Sequence, residues 1–231
     1  MWAGLFARAL LAGNVTAAPP ATLATVEQRV VQFGPSVRNR VAPAFLSAGL
    51  EYPPRELALL AFKDSRHLEL YARASSSDPW HFVKDYRIEG ASGTLGPKLG
   101  EGDRQVPEGI YRVNALNPNS RHYLSLRINY PNEFDRALAE RDGRSNLGGD
   151  IMIHGGRGST GCLAMGNPAI EELFVLAAQA DFGRVRVVIS PTDFRIPTAR
   201  VPGIVEPWLR DLYLEIRSEL QQYRRLSPAG S

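Results

Sequence analysis

Residues 150–165 read DIMIHGGRGSTGCLAM, and this stretch decides how the rest of the chain is interpreted. An apolar run leads into His154, a glycine-rich loop follows, and Cys162, the lone cysteine, comes just before a predicted helix. An apolar run followed by glycines is typical of a strand that ends in a turn. The pattern predicts that a strand delivers His154 to its end and that the loop brings Cys162 back beside it.

These two side chains indicate nucleophilic catalysis by a thiol. A free cysteine is only a few per cent thiolate at neutral pH, so it needs a base, and His154 can serve as one. Because small residues let backbone amides approach a reacting carbonyl, the N–H groups of Gly161 and Cys162, with Thr160 as a further candidate, are predicted to form an oxyanion hole. The alternative is that the glycines only build a turn and that His154 is structural.

The same loop also fits the dinucleotide pattern G-x-G-x-x-G from Gly156 to Gly161, with Asp181 further along the chain. However, the acid that binds the ribose should follow the second strand, whereas Asp181 precedes the next predicted strand. A nucleotide-binding enzyme therefore stays as an alternative that predicts nucleotide affinity. We expect no nucleotide and no other cofactor.

Composition narrows the class of protein. The 231 residues are 44% hydrophobic and 22% charged, which is typical of one sizeable globular domain. The 27 basic and 24 acidic residues are scattered along the chain, which argues against a nucleic-acid partner. A single cysteine excludes an intrachain disulfide and a multi-cysteine metal site, and the histidines lack ligand-like spacing, so we expect no metal.

The two ends of the chain are predicted to lie outside the catalytic domain. Residues 1–20 resemble a weak export signal or anchor, because Arg8 interrupts the apolar run; a frayed helix in a cytoplasmic protein is the alternative. Residues 21–56 are predicted to form a helical lead-in of two short helices broken at Gly34-Pro35. Residues 191–231 contain an amphipathic stripe that predicts a helix docked on the catalytic domain.

Residues 57–190 are predicted to be the catalytic domain. Short strand-like runs alternate there with turns, and they cover residues 57–62, 68–71, 80–86, 109–114, 123–130, 150–154 and 185–189. Asn167 and Pro168 predict the cap and the first turn of one helix between the last two strands.

The motif residues resemble those of the YkuD-type L,D-transpeptidases. The run from Ile153 to Gly155, followed by the run from Ser159 to Cys162, is similar to the active-site signature of that family. Residues 96–98 and 102–111 resemble the approach to the site. The stretches 117–120, 130–132 and 161–165 are most similar to the YafK-like branch of the family.

The resemblance implies an α+β, β-rich fold. We expect an L,D-transpeptidase-like β-sandwich or open barrel that carries one packed helix, with helical extensions at the N- and C-termini. It also implies that Cys162 is the nucleophile, that His154 accepts and donates the proton, and that the Gly161 amide belongs to the oxyanion hole. Substrate contacts are expected at Arg157, Gly155, Ser159 and Thr160.

The implied substrate is the stem peptide of peptidoglycan, with a wall-linked protein as a further candidate partner. The protein is accordingly expected in the periplasm or cell envelope. The chain departs from the usual family pattern at Thr160 and Ala164, where histidine and arginine are common, and Arg157 is our candidate to replace that arginine. A non-catalytic envelope-binding module that retains the fold is the alternative function.

Overall fold

The computed structural model describes residues 23–201 and 207–224, so the signal-like segment 1–20 lies outside the described residues. The described residues form nine strands, which are β1 (Glu56–Phe62), β2 (His67–Arg73), β3 (His81–Arg87), β4 (Gly90–Ala91), β5 (Gly109–Ser120), β6 (Tyr123–Ile128), β7 (Met152–His154), β8 (Leu163–Ala164) and β9 (Arg186–Ser190). They also form four α-helices, which are α1 (Val26–Ser47), α2 (Glu133–Arg141), α3 (Asn167–Gln179) and α4 (Pro207–Leu220).

The nine described strands form one sheet in the order β3-β2-β1-β9-β5-β6-β7-β8-β4. The long strand β5 joins its two halves, because Gly109–Arg112 pair with β9 while Val113–Ser120 pair with β6. A register shift between Val113 and Ala115 marks the point where the strand changes partner. The edge strands β3 and β4 lie at opposite ends of this order, so the described sheet is not closed into a barrel.

Strand β1 is buried on both faces, as its uninterrupted apolar sequence predicts. One face contributes to a core with α1 and α3 through Leu57, Leu59 and Ala61. The other face contributes to a second core with α4 through Ala58, Leu60 and Phe62. The first half of the sheet is therefore covered by helices on both sides.

The lead-in is one continuous helix, α1, so the predicted break at Gly34-Pro35 is wrong. A proline inside a helix removes a hydrogen bond and costs about 3 kcal/mol. Tertiary contacts offset this cost, because Val37, Val41 and Phe45 are completely buried in the first core. Intrinsic propensity is a weak guide where one face of a helix is packed in this way.

Helix α3 begins where the sequence places it, but its cap differs from the prediction. Gly166 is the N-cap residue, with φ 74°, and Asn167 and Pro168 are the first helical residues. The Asn167 side chain does not cap its own helix. Its Oδ1 accepts a hydrogen bond from the Gly156 N–H at 2.9 Å, so it ties the glycine-rich loop to the start of α3.

Helix α4 docks on the sheet as its amphipathic stripe predicts. Leu212, Ile216 and Leu220 enter the second core, and the Tyr213 hydroxyl donates a 2.7 Å hydrogen bond to Glu108 Oε2. Among the described helices, none combines the length and the apolar character that crossing a bilayer requires. The β-rich fold class with helices at both ends is thus confirmed, and the domain boundaries stay predictions.

Candidate active site

His154 lies at the end of the middle one of three neighbouring strands, and Cys162 directly precedes the third. Strand β7 pairs with β6 on one side, where His154 lies opposite Ser125. On the other side it pairs in parallel with β8, where His154 lies opposite Ala164. Cys162 directly precedes β8, so its backbone lies next to the strand that ends at His154.

The loop between the two residues depends on glycine at specific points. Gly156 has φ 69° and Gly161 has φ 87°, in the left-handed region that favours glycine. Gly155 is buried, and a Cβ atom on it would lie 2.7 Å from the His122 carbonyl oxygen and 2.9 Å from Asn167 Oδ1. Gly155 therefore allows the β5–β6 turn and the start of α3 to approach the site.

His154 is arranged to act as a base. The residue is 1% exposed, and its Nδ1 lies 2.6 Å from the Gly155 carbonyl oxygen. A carbonyl only accepts hydrogen bonds, so Nδ1 carries the proton and Nε2 holds the free lone pair. Burial lowers the pKa of His154, and the nearby His122 lowers it further, while the bond to Gly155 opposes them. The imidazole is therefore neutral at neutral pH.

Cys162 is a half-buried thiol whose Sγ lies 3.9 Å from the Asp150 carbonyl oxygen. Burial raises the pKa of the thiol most strongly, and the nearby Asp150 carboxylate raises it as well. A hydrogen bond with the Met152 backbone and the Lys98 ammonium both lower the pKa, but the net shift is upward. No hydrogen bond of the described residues joins Sγ to His154. The resting pair is thus a neutral thiol and a neutral imidazole, and catalytic hydrogen bonds commonly tighten only when substrate binds.

The two amides predicted to form the oxyanion hole already have partners. The Gly161 N–H donates to Ser92 Oγ at 2.6 Å, and the Cys162 N–H donates to Ser159 Oγ at 3.2 Å. Each hydroxyl in turn donates a hydrogen bond to a carbonyl oxygen, Ser92 to that of Arg104 at 2.8 Å and Ser159 to that of Cys162 at 2.6 Å. An incoming oxyanion would have to replace these two serine oxygens.

The other predicted substrate-binding residues fall in different places. Thr160 is exposed on the loop, while Ser159 is half-buried against Cys162. The Arg157 side chain is 83% exposed, and its Nε lies 3.8 Å from Glu89 Oε2. Arg157 lines a depression of about 510 Å³ beside the start of α3, and neither His154 nor Cys162 lines it.

Sequence reasoning missed three residues near the pair. The His122 ring stacks on the His154 ring with centroids 4.4 Å apart. Ser92 reaches the Gly161 amide, and Lys98 influences the thiol. Lys98 belongs to the segment 96–98 that resembles the family, and its positive charge could have identified it as a candidate. An isolated serine such as Ser92 carries no comparable signal in the sequence. Within the described ranges, no cluster of histidine, cysteine or acidic residues could hold a metal ion.

Comparison with known proteins shows which family the segment around the site resembles. Residues 80–189 match the family model of YkuD, the L,D-transpeptidase catalytic domain. This segment contains β7, β8 and the loop between them, and the predicted family resemblance is thereby confirmed.

The individual relatives sharpen this picture. The chain is 38% identical over 143 residues to the protein named "Putative L,D-transpeptidase YafK" in Escherichia coli strain K12, a match that covers 61% of this chain and 55% of that one. The protein of the same name in Escherichia coli O157:H7 matches equally. The chain thus spans about half the length of the curated relatives it matches.

Two solved structures are also similar. The helical cell shape determining protein Pgp2 from Campylobacter jejuni shows 24% identity and a TM-score of 0.47, over 60% of this chain and 48% of that one. Bd1075 from Bdellovibrio bacteriovorus shows 22% identity and a TM-score of 0.42, over 74% and 56% of the two chains.

Proposed function

We propose that this protein is a peptidoglycan-modifying cysteine enzyme of the L,D-transpeptidase type. The observation that carries the proposal is that His154 ends β7 and that Cys162 directly precedes β8, the strand that pairs in parallel with β7. Both lie within the segment that matches the L,D-transpeptidase catalytic domain. Their neutral resting states suit a proton transfer that accompanies nucleophilic attack.

The reaction begins when Sγ of Cys162 attacks the carbonyl carbon of the amide at the L-centre of the third stem-peptide residue. His154 Nε2 takes the thiol proton as the S–C bond forms. The C–N bond then breaks, and the same imidazole gives the proton to the departing amine. The resulting thioester is attacked by an amine or by water, which restores the thiol.

The oxyanion of the tetrahedral intermediate is held by the Gly161 and Cys162 amides. The serine oxygens on these amides support this role, because they mark positions where an oxygen acceptor is already favoured. Substrate oxygen exchanges with them as it enters. Backbone donors aimed at the position where negative charge develops stabilise the transition state.

Substrate contacts are assigned to the loop and its surroundings. The exposed guanidinium of Arg157 can bind a substrate carboxylate with two parallel hydrogen bonds. Thr160 and Ser159 supply hydroxyls beside the thiol, and Gly155 contributes by letting the neighbouring elements pack closely.

The protein acts in the cell envelope, so fractionation of expressing cells should find it outside the cytoplasm. A stable, active pool confined to the cytoplasm would contradict this.

Hydrolysis should exceed transfer in this enzyme. Arg157, Gly158 and Thr160 are exposed, which leaves the short loop open to solvent. Ala164 is buried where the family commonly has arginine, so one polar group that could hold an acceptor is missing. Transfer needs an amine positioned at the thioester, whereas water needs no binding site. The bond cleaved can include one that tethers another protein to the wall.

The test is to incubate the purified protein with donor muropeptides, with and without a large excess of amine acceptor. Intact-protein mass spectrometry should detect an acyl adduct that maps to Cys162, and muropeptide analysis should show mainly cleaved product. Mainly cross-linked product would reject the preference for water. Muropeptide binding with no adduct and no turnover would support the envelope-binding module instead.

A further inference from the structure

The imidazole of His154 is fixed at one ring nitrogen, but that contact alone does not fix the plane of the ring. The bond from Nδ1 to the Gly155 oxygen joins neighbouring residues, and a ring can still tilt about such a contact. A general base must be held within a narrow range of geometries to take a proton efficiently. A second contact, on the face of the His154 ring, would therefore be needed to fix the plane of the ring.

His122 supplies that contact. Its ring lies over the His154 ring with centroids 4.4 Å apart and an angle of 27° between the planes, so the two rings are stacked. His122 is exposed at the turn between β5 and β6, whereas His154 is almost completely buried. The outer ring thus covers the inner one on the side where the β5–β6 turn closes over it.

The turn that carries His122 is itself anchored. Ser120 and Tyr123 pair across the hairpin, and the His122 N–H donates to Ser120 Oγ at 3.2 Å. The Tyr123 hydroxyl donates to Glu171 Oε1 of α3 at 2.9 Å. The His122 carbonyl also packs against Gly155, where a Cβ would be too close. These contacts give the outer ring a defined place relative to β7.

We propose that His122 is a positioning residue, which stacks on His154 and holds its imidazole plane so that Nε2 stays available to the thiol. His122 does not contact Cys162 in any described interaction, and it acts through His154. After burial, the nearby His122 also lowers the pKa of His154, which favours the neutral form of the base. This inference rests on the proposed function of His154.

The test compares His122→Ala, which removes the ring, with His122→Phe, which keeps a stacking ring but no titratable nitrogen. Arg121→Ala, at the adjacent exposed position, is the matched control for disturbance of the turn. We expect His122→Ala to lower kcat roughly 2- to 12-fold, the size of one ring–ring contact, with little change in KM. His122→Phe should restore most of that loss, and Arg121→Ala should leave kcat unchanged.

A second measurement does not depend on turnover. Nitrogen-15 NMR of the full chain should show His154 with its proton on Nδ1 in the wild type and in His122→Phe, and a mixture of tautomers in His122→Ala. If His122→Ala keeps the single tautomer and the wild-type kcat, the proposal is overturned. If Phe loses as much as Ala, stacking is not the cause. If no variant or wild type turns over muropeptides, the tautomer result still decides the role of His122.

Discussion

The two halves of the sheet treat buried polar groups differently. In the half built from β1, β2 and β9, Glu69 binds Arg195 at 2.8 Å and accepts from Tyr71 at 3.0 Å. Glu108, directly before β5, binds Lys63 at 2.9 Å and accepts a hydrogen bond from the Tyr213 hydroxyl at 2.7 Å. These buried carboxylates each have a cation and a hydroxyl.

In the half built from β6, β7 and β8, buried polar groups have fewer partners. No ion pair of the described residues involves His154, Cys162 or Ser125, and the Ser125 hydroxyl is buried without a hydrogen-bond partner. A buried polar group without a partner costs about 1–3 kcal/mol, so such groups are uncommon unless they serve a function. The supporting half, built from β1, β2 and β9, also contains one buried donor without a partner, the Trp80 indole N–H. The difference therefore concerns the buried carboxylates, which are paired in the supporting half, and the Ser125 hydroxyl, which is unpaired in the half where chemistry is proposed.

The sharpest way to break this comparison is to change the nucleophile. Cys162→Ser should reduce turnover to background, because a hydroxyl at this position lacks the accessible anion of a thiol. The fold should be unaffected, since the thiol makes only weak backbone contacts, to Asp150 and Met152, that a hydroxyl can also make. Turnover measured on muropeptides, with thermal unfolding as the control for folding, checks both parts. Appreciable turnover by purified Cys162→Ser would remove the assignment.

The base provides the next largest effect. His154→Ala should lower kcat roughly 10²- to 10⁴-fold, the usual contribution of a positioned acid or base. His81→Ala, in β3 of the supporting half, is the matched control, and it should leave kcat unchanged. Steady-state kinetics on both variants decides the point. A loss of less than about threefold in His154→Ala would show that His154 is structural.

A buried charge in the supporting half should matter for stability. Glu108→Ala leaves the Lys63 ammonium buried without its carboxylate and removes the acceptor of Tyr213, so the free energy of unfolding should fall by about 3–5 kcal/mol. Glu140→Ala, at an exposed position, should change it by less than about 0.5 kcal/mol. Urea unfolding of both variants is the measurement. Equal stabilities would mean that the buried pair contributes little.

The pH dependence of the site follows from the pKa of His154. Burial lowers this pKa from 6.5, so the base stays neutral and active until the pH falls below that value. We expect kcat/KM to decline on the acid side only below about pH 6.5. The unfolded chain binds the proton more readily than the folded one, so this group also reduces stability as the pH falls below 6.5. An acid limb centred above pH 7 would contradict the assignment of His154 as the base.

The smallest effect is expected at a hydroxyl. Ser125→Ala removes a buried group that has no partner, so the stability should stay the same or rise by up to about 1 kcal/mol. Ser190→Ala is the matched control, because Ser190 is equally buried but donates to the Thr192 carbonyl at 2.6 Å; it should lose about 1 kcal/mol. If Ser125→Ala destabilises as much as Ser190→Ala, the two halves do not differ in the way described. A loss of activity in a stable Ser125→Ala would place the hydroxyl in the site.

The sequence by itself determined seven of the nine described strands and the resemblance of the site to a known family, and it missed the two-residue strands β4 and β8. Alternation along 123–130 places Leu124, Leu126 and Ile128 in the core, as the structure confirms. The predicted strand that ends at His154 is β7, whereas Cys162 directly precedes the short strand β8 and not the predicted helix. Helix α2 was missed, although Asn132 and Asp135 form a capping box that the sequence contains. Such features are local, because they depend on residues a few positions apart.

Tertiary structure alone decided how the pair is surrounded. Ser92 binds the amide of Gly161 from 69 residues away, and His122 reaches His154 only because the β5–β6 turn packs on Gly155. The continuity of α1 across Pro35 also depends on long-range packing. The sequence pattern of each segment carries no information about these contacts, because they form between segments whose relative positions are set by burial of the whole core.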